Sequence, residues 1–345
     1  MKRPRRASVA AFVVGLGVAT LLGTGHMARS LWLKVSNRLH EAAPPVHLAP
    51  GAFGNAVFRG YLEDPVLDEV SGLAASRRDE DLLWAVNDSG GEPRLYAIGH
   101  DGRSRGSARI EGVKNRDWEG LVSIEYDGKA YLVAGEIGDN FGARDEIFLF
   151  GVEEPELAGE RFPEDFSIPL AFRVKAHYED GARDAEAFDF DFENRRFLVL
   201  SKRIDPPQVY EIPLASLLGE QSIEARRVGA IERIPAPTAR EIEENGYRGR
   251  FLAQPTALDL AADGSRAVIL TYGSAYEFVR RPGESWEETL ARTPRRVPLP
   301  PFDQSEAAAL DPRDGALWVT SERRPSPLFR LPRVLPPDEP FDDKP

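Results

Sequence analysis

Short apolar runs recur along this chain in a fixed order, separated by turns rich in Asp, Gly and Asn. Five segments align: "EVSGLAASRRDEDLLWAVNDSG" (69–90), "DWEGLVSIEYDGKAYLVAGEIGDN" (117–140), "DAEAFDFDFENRRFLVLSKR" (184–203), "QPTALDLAADGSRAVILTYG" (254–273) and "QSEAAALDPRDGALWVTSER" (304–323). Each opens on polar residues, continues as a strand, turns, and returns in a strongly apolar run. The returning runs "LLWAV", "AYLVAG", "FLVLS", "AVILTY" and "ALWVTS" have no polar face, as expected of strands covered on both sides. A third strand carrying an aromatic follows each pair: "RLYAI", "IFLFGV", "VYEI", "AYEFVR" and "LFRL". A fourth follows in four units, at 107–113, 168–174, 225–234 and 295–300. The fifth unit runs out of chain, and its partner is available at the other end in "NAVFRGYL" (55–62).

Four strands per unit, with the last unit completed by the N-terminal strand, predict an all-β fold: a five-bladed β-propeller closed by a shared blade. The repeats start 48, 67, 70 and 50 residues apart, longer than the roughly 40–50 of common blades, so a six-bladed arrangement is the alternative. The extra length goes to loops such as "TAREIEENGYRG" (238–249), where Thr238 and Glu241 form a capping-box signature for a short helix.

The first forty residues have a different character. Four basic residues precede a nineteen-residue charge-free stretch at 7–25, and residues 1–40 hold seven basic and no acidic side chains. That pattern predicts an N-terminal hydrophobic helix with its basic end in the cytoplasm. It reads as an uncleaved anchor in the cytoplasmic membrane with the rest of the chain outside; the alternative is a cleaved signal, leaving a secreted or periplasmic protein. The organisation is then a signal or anchor segment (1–40), a linker (41–50), a propeller domain (51–331) and a proline-rich tail (332–345). Net charge is −12 overall, so the 305 residues after the leader carry −19. Such a domain repels nucleic acid and anionic membranes and suits cations or cationic partners. Cysteine is absent, which removes disulfides, thiol catalysis and cysteine-held metals.

In a propeller the start of each first strand and the end of each second strand gather at one mouth of the central channel. The opening pairs are Glu69/Ser71, Asp117/Glu119, Asp184/Glu186, Gln254/Thr256 and Gln304/Glu306, six of the ten being carboxylates. The second strands contribute Asn87, Asp88, Glu136, Asp139, Asn140, Lys202, Arg203, Tyr272, Glu322 and Arg323. Carboxylates crowded in this way raise one another's pKa and need compensation. A calcium ion held by carboxylate and amide oxygens would supply it. So would salt bridges to Lys202, Arg203, Arg323 and Arg144, with carboxylates tying neighbouring blades through backbone N–H groups. A cationic or hydroxyl-rich ligand is the third possibility. The expected ligand-binding residues are Asn87, Asp88, Asp117, Glu119, Asp184, Glu186, Lys202, Arg203, Glu306, Glu322 and Arg323.

Other chemistry has little footing. Of five histidines only His177 lies near repeat acids. No nucleophile elbow, phosphate loop or dinucleotide fingerprint is present. Trp84, Trp118 and Trp318 fall at repeat positions, as inter-blade packing requires.

The runs "SGLAAS", "LLWAVNDSG", "LYAI", "NRDWEGL", "GEIGDNFGARDEIFLF" and "DAEAFDFD" resemble those of bacterial exported β-propeller proteins related to the SdiA-regulated and phytase-like esterase families, over about residues 66–331. Related calcium-dependent propeller lactonases and phosphatases use acidic and Asn side chains at the channel mouth. The resemblance implies a metal-holding role for Glu119, Glu186, Asp139 and Asn140. The histidine bases of the lactonases have no counterpart here, and the phosphate-binding basic clusters of the phytases are reduced to Lys202, Arg203 and Arg323. The chain therefore reads first as a membrane-tethered extracytoplasmic propeller that binds a small ligand or an envelope protein at an acidic mouth, with a structural cation. A calcium-dependent hydrolase of a phosphoester, ester or lactone is the second reading, and an envelope scaffold without a small-molecule site the third.

Overall fold

A computed structural model of the chain describes residues 40–214, 222–302 and 304–334. The expected helix at 7–25 and most of the proline-rich tail lie outside the described residues. No helix among the described residues is long and apolar enough to cross a membrane.

Strand β1 (Val57–Tyr61) comes first and stands apart from its sequence neighbours. A first antiparallel group follows, made of β2 (Val70–Ala75), β3 (Leu82–Asn87), β4 (Arg94–Gly99) and β5 (Ser104–Ile110). A second contains β6 (Trp118–Tyr126), β7 (Lys129–Glu136) and β8 (Ile147–Glu153); after the two-residue β9 (Ser167–Ile168) it is completed by β10 (Phe172–Tyr178). The third is β11 (Ala185–Asp191), β12 (Arg196–Ser201), β13 (Gln208–Pro213) and β14 (Ile223–Ala230). The fourth is β15 (Pro255–Leu260), β16 (Arg266–Thr271), β17 (Ala275–Val279) and β18 (Arg295–Val297). The last has β19 (Ser305–Leu310), β20 (Leu317–Ser321) and β21 (Pro327–Leu331), and β1 pairs antiparallel with β21 to complete it.

The first strands β2, β6, β11, β15 and β19 touch one another in sequence, and β19 returns to β2, so the ring closes. The fold is thus all-β and propeller-like. Its core lies between sheets, in five apolar clusters each shared by adjacent groups. That arrangement explains the runs without a polar face, since β2, β3, β11 and β16 are buried at every position. Edge strands behave oppositely, β1 being exposed along most of its length. The hairpin between β6 and β7 turns on Asp127 and Gly128, at φ 52° and 73°, the double left-handed conformation that Asp-Gly accommodates.

Tryptophans join the groups as expected. Trp84 is fully buried and donates its indole N–H to Glu154 of the second group at 2.9 Å. Trp318 packs against His100 of the first group, the rings tilted by 37° with their centres 4.2 Å apart. Carboxylates do the same through the backbone, though at residues in mid-strand. Asp189 accepts the N–H of Leu260, and Asp259 accepts the N–H of Leu310 at 3.0 Å, each reaching the next first strand around the ring.

Three details differ from the sequence-based expectation. The fourth strand of the second group begins at Phe172 and not 168, because Ser167 and Ile168 add in parallel to the edge of β5; Pro169, without an N–H, separates the two pairings. Strand β10 also pairs in parallel with β14, joining the second and third groups into one eight-stranded sheet. The linker is tied down: Ala43 bridges to Thr238 and Pro50 to Arg296, and Ala52 N–H donates to the buried carboxylate of Glu277 at 2.8 Å. The helix at 239 is present as α1 (Ala239–Asn245), with both halves of the Thr238/Glu241 capping box formed. A second box, Ser285/Glu288, opens α2 (Trp286–Leu290). It escapes notice in the sequence because the helix is only five residues long.

Candidate functional site at the channel mouth

Strand β6 starts the site. Asn115 accepts the N–H of Trp118 at 3.2 Å and donates to the carbonyls of Asn87 and Asp88 at 2.9 and 2.8 Å. This one amide binds the end of β3 to the start of β6 and so presents Asp88 to Asp117 and Glu119. Sequence reasoning missed Asn115; its place two residues before Asp117, as a short polar side chain ahead of a strand, was the available signal. One carboxylate oxygen from each of Asp88, Asp117 and Glu119 lies within 4.8 Å of the others. Gly138, at the end of the return strand, leaves room for them: a Cβ there would stand 2.7 Å from Glu119 Cγ and 2.8 Å from Asp117 Cγ.

Asp117 and Glu119 are buried, whereas Asp88 is half-buried. Burial, reinforced by the negative charge of Asp88, pushes the Asp117 carboxyl up to about 7 despite Arg144, which approaches it at 3.3 Å. Burial and then the charges of Asp88 and Asp117 push Glu119 well above the usual carboxylate range. Oδ1 of Asp117 is enclosed and accepts no hydrogen bond among the described residues. Arg144 also fastens the neighbouring turn, donating its guanidinium to Gly138 O at 2.6 Å and its backbone N–H to Asp139 Oδ2 at 2.7 Å.

The third group supplies the cations. Lys202 pairs with Glu186, and Arg203 pairs with Asp184 and donates to Asn140. Asp184 also accepts the N–H of Asp139 at 2.7 Å, linking the second and third groups. Lys202 lies 5.0 Å from the ring centre of Tyr272, whose hydroxyl is held protonated by burial and by Glu306, Glu119 and Glu322. The last group adds Glu306, pushed to about 8 by burial against the pull of Lys202, and Glu322, also raised by burial although Arg323 lowers it. Gln304 donates to Glu306 at 3.0 Å.

The expected residues therefore divide. Asp88, Asp117 and Glu119 form an acidic cluster; Asp184, Glu186, Lys202 and Arg203 form an ion-paired wall; and Glu306 and Glu322 stand within electrostatic reach of Lys202 and Asp88. Asn87 turns its side chain away to Val66 O at 2.5 Å. Arg323 is half exposed, 3.9 Å from Glu322. The metal set inferred from family resemblance, Glu119, Glu186, Asp139 and Asn140, is not drawn together. The second strand of the third group is followed directly by Lys202 and Arg203, and these cations take Glu186 and Asn140, while Asp139 is held by Arg144. His177, the histidine expected near repeat acids, sits on the outer strand β10 and contacts Ser222 at 3.1 Å, whereas His100 lies 3.9 Å from Asp81 of the first repeat.

No family model matches the chain, and no curated protein is similar to it in sequence. Among solved structures it is similar to the glutaminyl cyclase of Myxococcus xanthus, at 12% identity and a TM-score of 0.43, covering 85% of this chain and 100% of that one. A luciferin-regenerating enzyme is similar at 10% identity and a TM-score of 0.41, over 81% and 95% of the two chains. The Cps50 (Swd1) β-propeller domain of Myceliophteria thermophila is similar at 11% identity and a TM-score of 0.40, over 81% and 98%.

Proposed function

We propose that the chain is a five-bladed propeller, the eight-stranded sheet counting as two blades, that binds a divalent cation at its channel mouth and through it an oxygen-rich ligand. The observation that carries this reading is the cluster of Asp88, Asp117 and Glu119, with the enclosed, unpartnered Oδ1 of Asp117. The cluster fits a hard cation. Oxygen ligands of calcium lie about 2.3–2.6 Å from the ion, so two of them on one ion stand up to about 5 Å apart, which admits the 4.8 Å limit found here. Two buried carboxyls that resist ionisation alone are stabilised as anions by a divalent charge. The ion would polarise or orient a ligand, and Arg323, half exposed beside Glu322 in the last group, would receive an anionic group of it. The basic segment and apolar run at 2–25 support export and tethering of this domain at the cytoplasmic membrane.

The test is metal analysis of the full-length chain and thermal melting with calcium and with chelator. Calcium at a hundred times its dissociation constant stabilises by about 2.7 kcal/mol, a rise of roughly 4–5 °C for a domain of this size. Asp117→Asn should abolish that rise. A chain that retains no ion, and whose melting calcium, magnesium and manganese all leave unmoved, would overturn the reading.

A further inference from the structure

The opposite end of the channel holds a second feature, independent of the mouth. Five residues beyond Asp184 along β11, about 16 Å at strand rise, Asp189 borders a cavity of about 250 Å³ lined from all five groups. Arg266, the first residue of β16, lines this cavity and is only 6% exposed. Its Nε is fully enclosed and finds no hydrogen-bond acceptor among the described residues, while Asp263 and Glu277 reach the guanidinium only through their charge. An enclosed N–H without an acceptor forfeits its hydration and receives no hydrogen bond in return.

The acids around it make their hydrogen bonds and short ion pairs to other groups, although the charges of Asp263 and Glu277 still act on it. Asp263 accepts from Ser265 N and Oγ at 2.9 and 2.6 Å. Glu277 is taken by Arg333 at 3.5 Å and by Ala52 N–H. Asp189 and Asp259 accept backbone N–H groups and are raised by burial, so they resist carrying charge. Asp311 accepts from the Trp318 indole at 3.5 Å and lies 3.8 Å from Arg313, and Asp314 pairs with Arg330. Arg333 instead comes alongside Arg266. A Cβ on Gly315, which has φ +69°, would fall 2.9 Å from Arg266 Nη2 and 3.2 Å from Arg333 Cδ. Burial, and then the like charge of Arg333, push the Arg266 guanidinium down.

We propose that this end of the channel is an anion site, in which Arg266, beside Arg333 and over Gly315, receives the carboxylate or phosphate group of a small ligand. An oxyanion offers the guanidinium fork two acceptors and offsets the charge of Arg266. Gly315 keeps the approach open, since any side chain there would meet both arginines.

The experiment is calorimetric titration of the full-length chain with inorganic phosphate and, separately, with succinate. Saturable one-to-one binding of either is expected, and the arm that binds names the oxyanion. Arg266→Gln should weaken it by about 10- to 100-fold, the range of a charge-assisted hydrogen bond, and Arg266→Lys by less. Should the glutamine variant not fold, arginine-directed dicarbonyl labelling of the wild type with peptide mapping decides: the anion should protect Arg266. No saturable binding of either anion, equal binding by a folded Arg266→Gln chain, or labelling of Arg266 unaffected by anion would each overturn the site.

Discussion

Replacing Asp117 by Asn should stabilise the metal-free protein at alkaline pH. In the folded chain this carboxyl is raised from its ordinary 3.8 to about 7. A raised carboxyl pKa means that the folded state holds the proton more tightly than the unfolded state. Its contribution to stability is therefore full below pH 3.8, is lost as pH rises towards 7, and is a constant penalty above. Burial is nearly complete at 3% exposure, so solvent screening removes little. A change from 3.8 to about 7 corresponds to about 4 kcal/mol at most, shared with Asp88 and Glu119, whose charges act on the same proton. The substituted amide carries no charge and keeps the shape of the carboxyl, at the loss of the 3.3 Å contact with Arg144. The expected net gain is about 2 kcal/mol at pH 8, and about zero at pH 4. Urea unfolding in chelator at both pH values reads it directly. If the Asp117→Asn variant is less stable than the parent at pH 8, Arg144 already satisfies the carboxylate, and the mouth is a finished salt-bridge network in no need of a cation.

Other outcomes follow from single contacts. Lys202→Met leaves Glu186 buried without its partner and should cost about 3–5 kcal/mol in urea unfolding, much of it restored by adding Glu186→Leu. Gly138→Ala places a methyl 2.7–2.8 Å from Glu119 and Asp117; it should cost about 1–3 kcal/mol and reduce calcium retention, read by metal analysis of the folded variant. Thr238→Ala removes one half of the α1 capping box and should cost about 1 kcal/mol, a fall of about 2 °C in melting temperature, without altering cation binding.

Much of the architecture was legible in the order of residues because propeller strands are local. Each hairpin is made of neighbouring runs, and burial on both faces writes itself as runs without polar positions, so four-strand units and even the closure by residues 55–62 could be counted. Thr238 and Glu241 were legible for the same reason, both halves of the cap lying within four residues. Pairings between distant edges were not: β9 adding to β5 and β10 to β14 depend on how far apart two outer strands finish, which no local pattern records.

The site divides along the same line. Sequence alone determined that carboxylates from the strand openings would converge on a mouth, because a repeated position repeats in space. Only the tertiary structure decided which acids meet and which are neutralised. Lys202 and Arg203, just past the end of β12, pair with Glu186 and Asp184 and keep them from the acidic cluster, while Asn115 draws Asp88 onto Asp117 and Glu119 across two groups. Arg266 is the extreme case: nothing in "GSRAVIL" distinguishes it from a surface arginine. Its significance comes from lying beside another cation with its Nε enclosed and given no acceptor, and enclosure is a property of the closed ring alone.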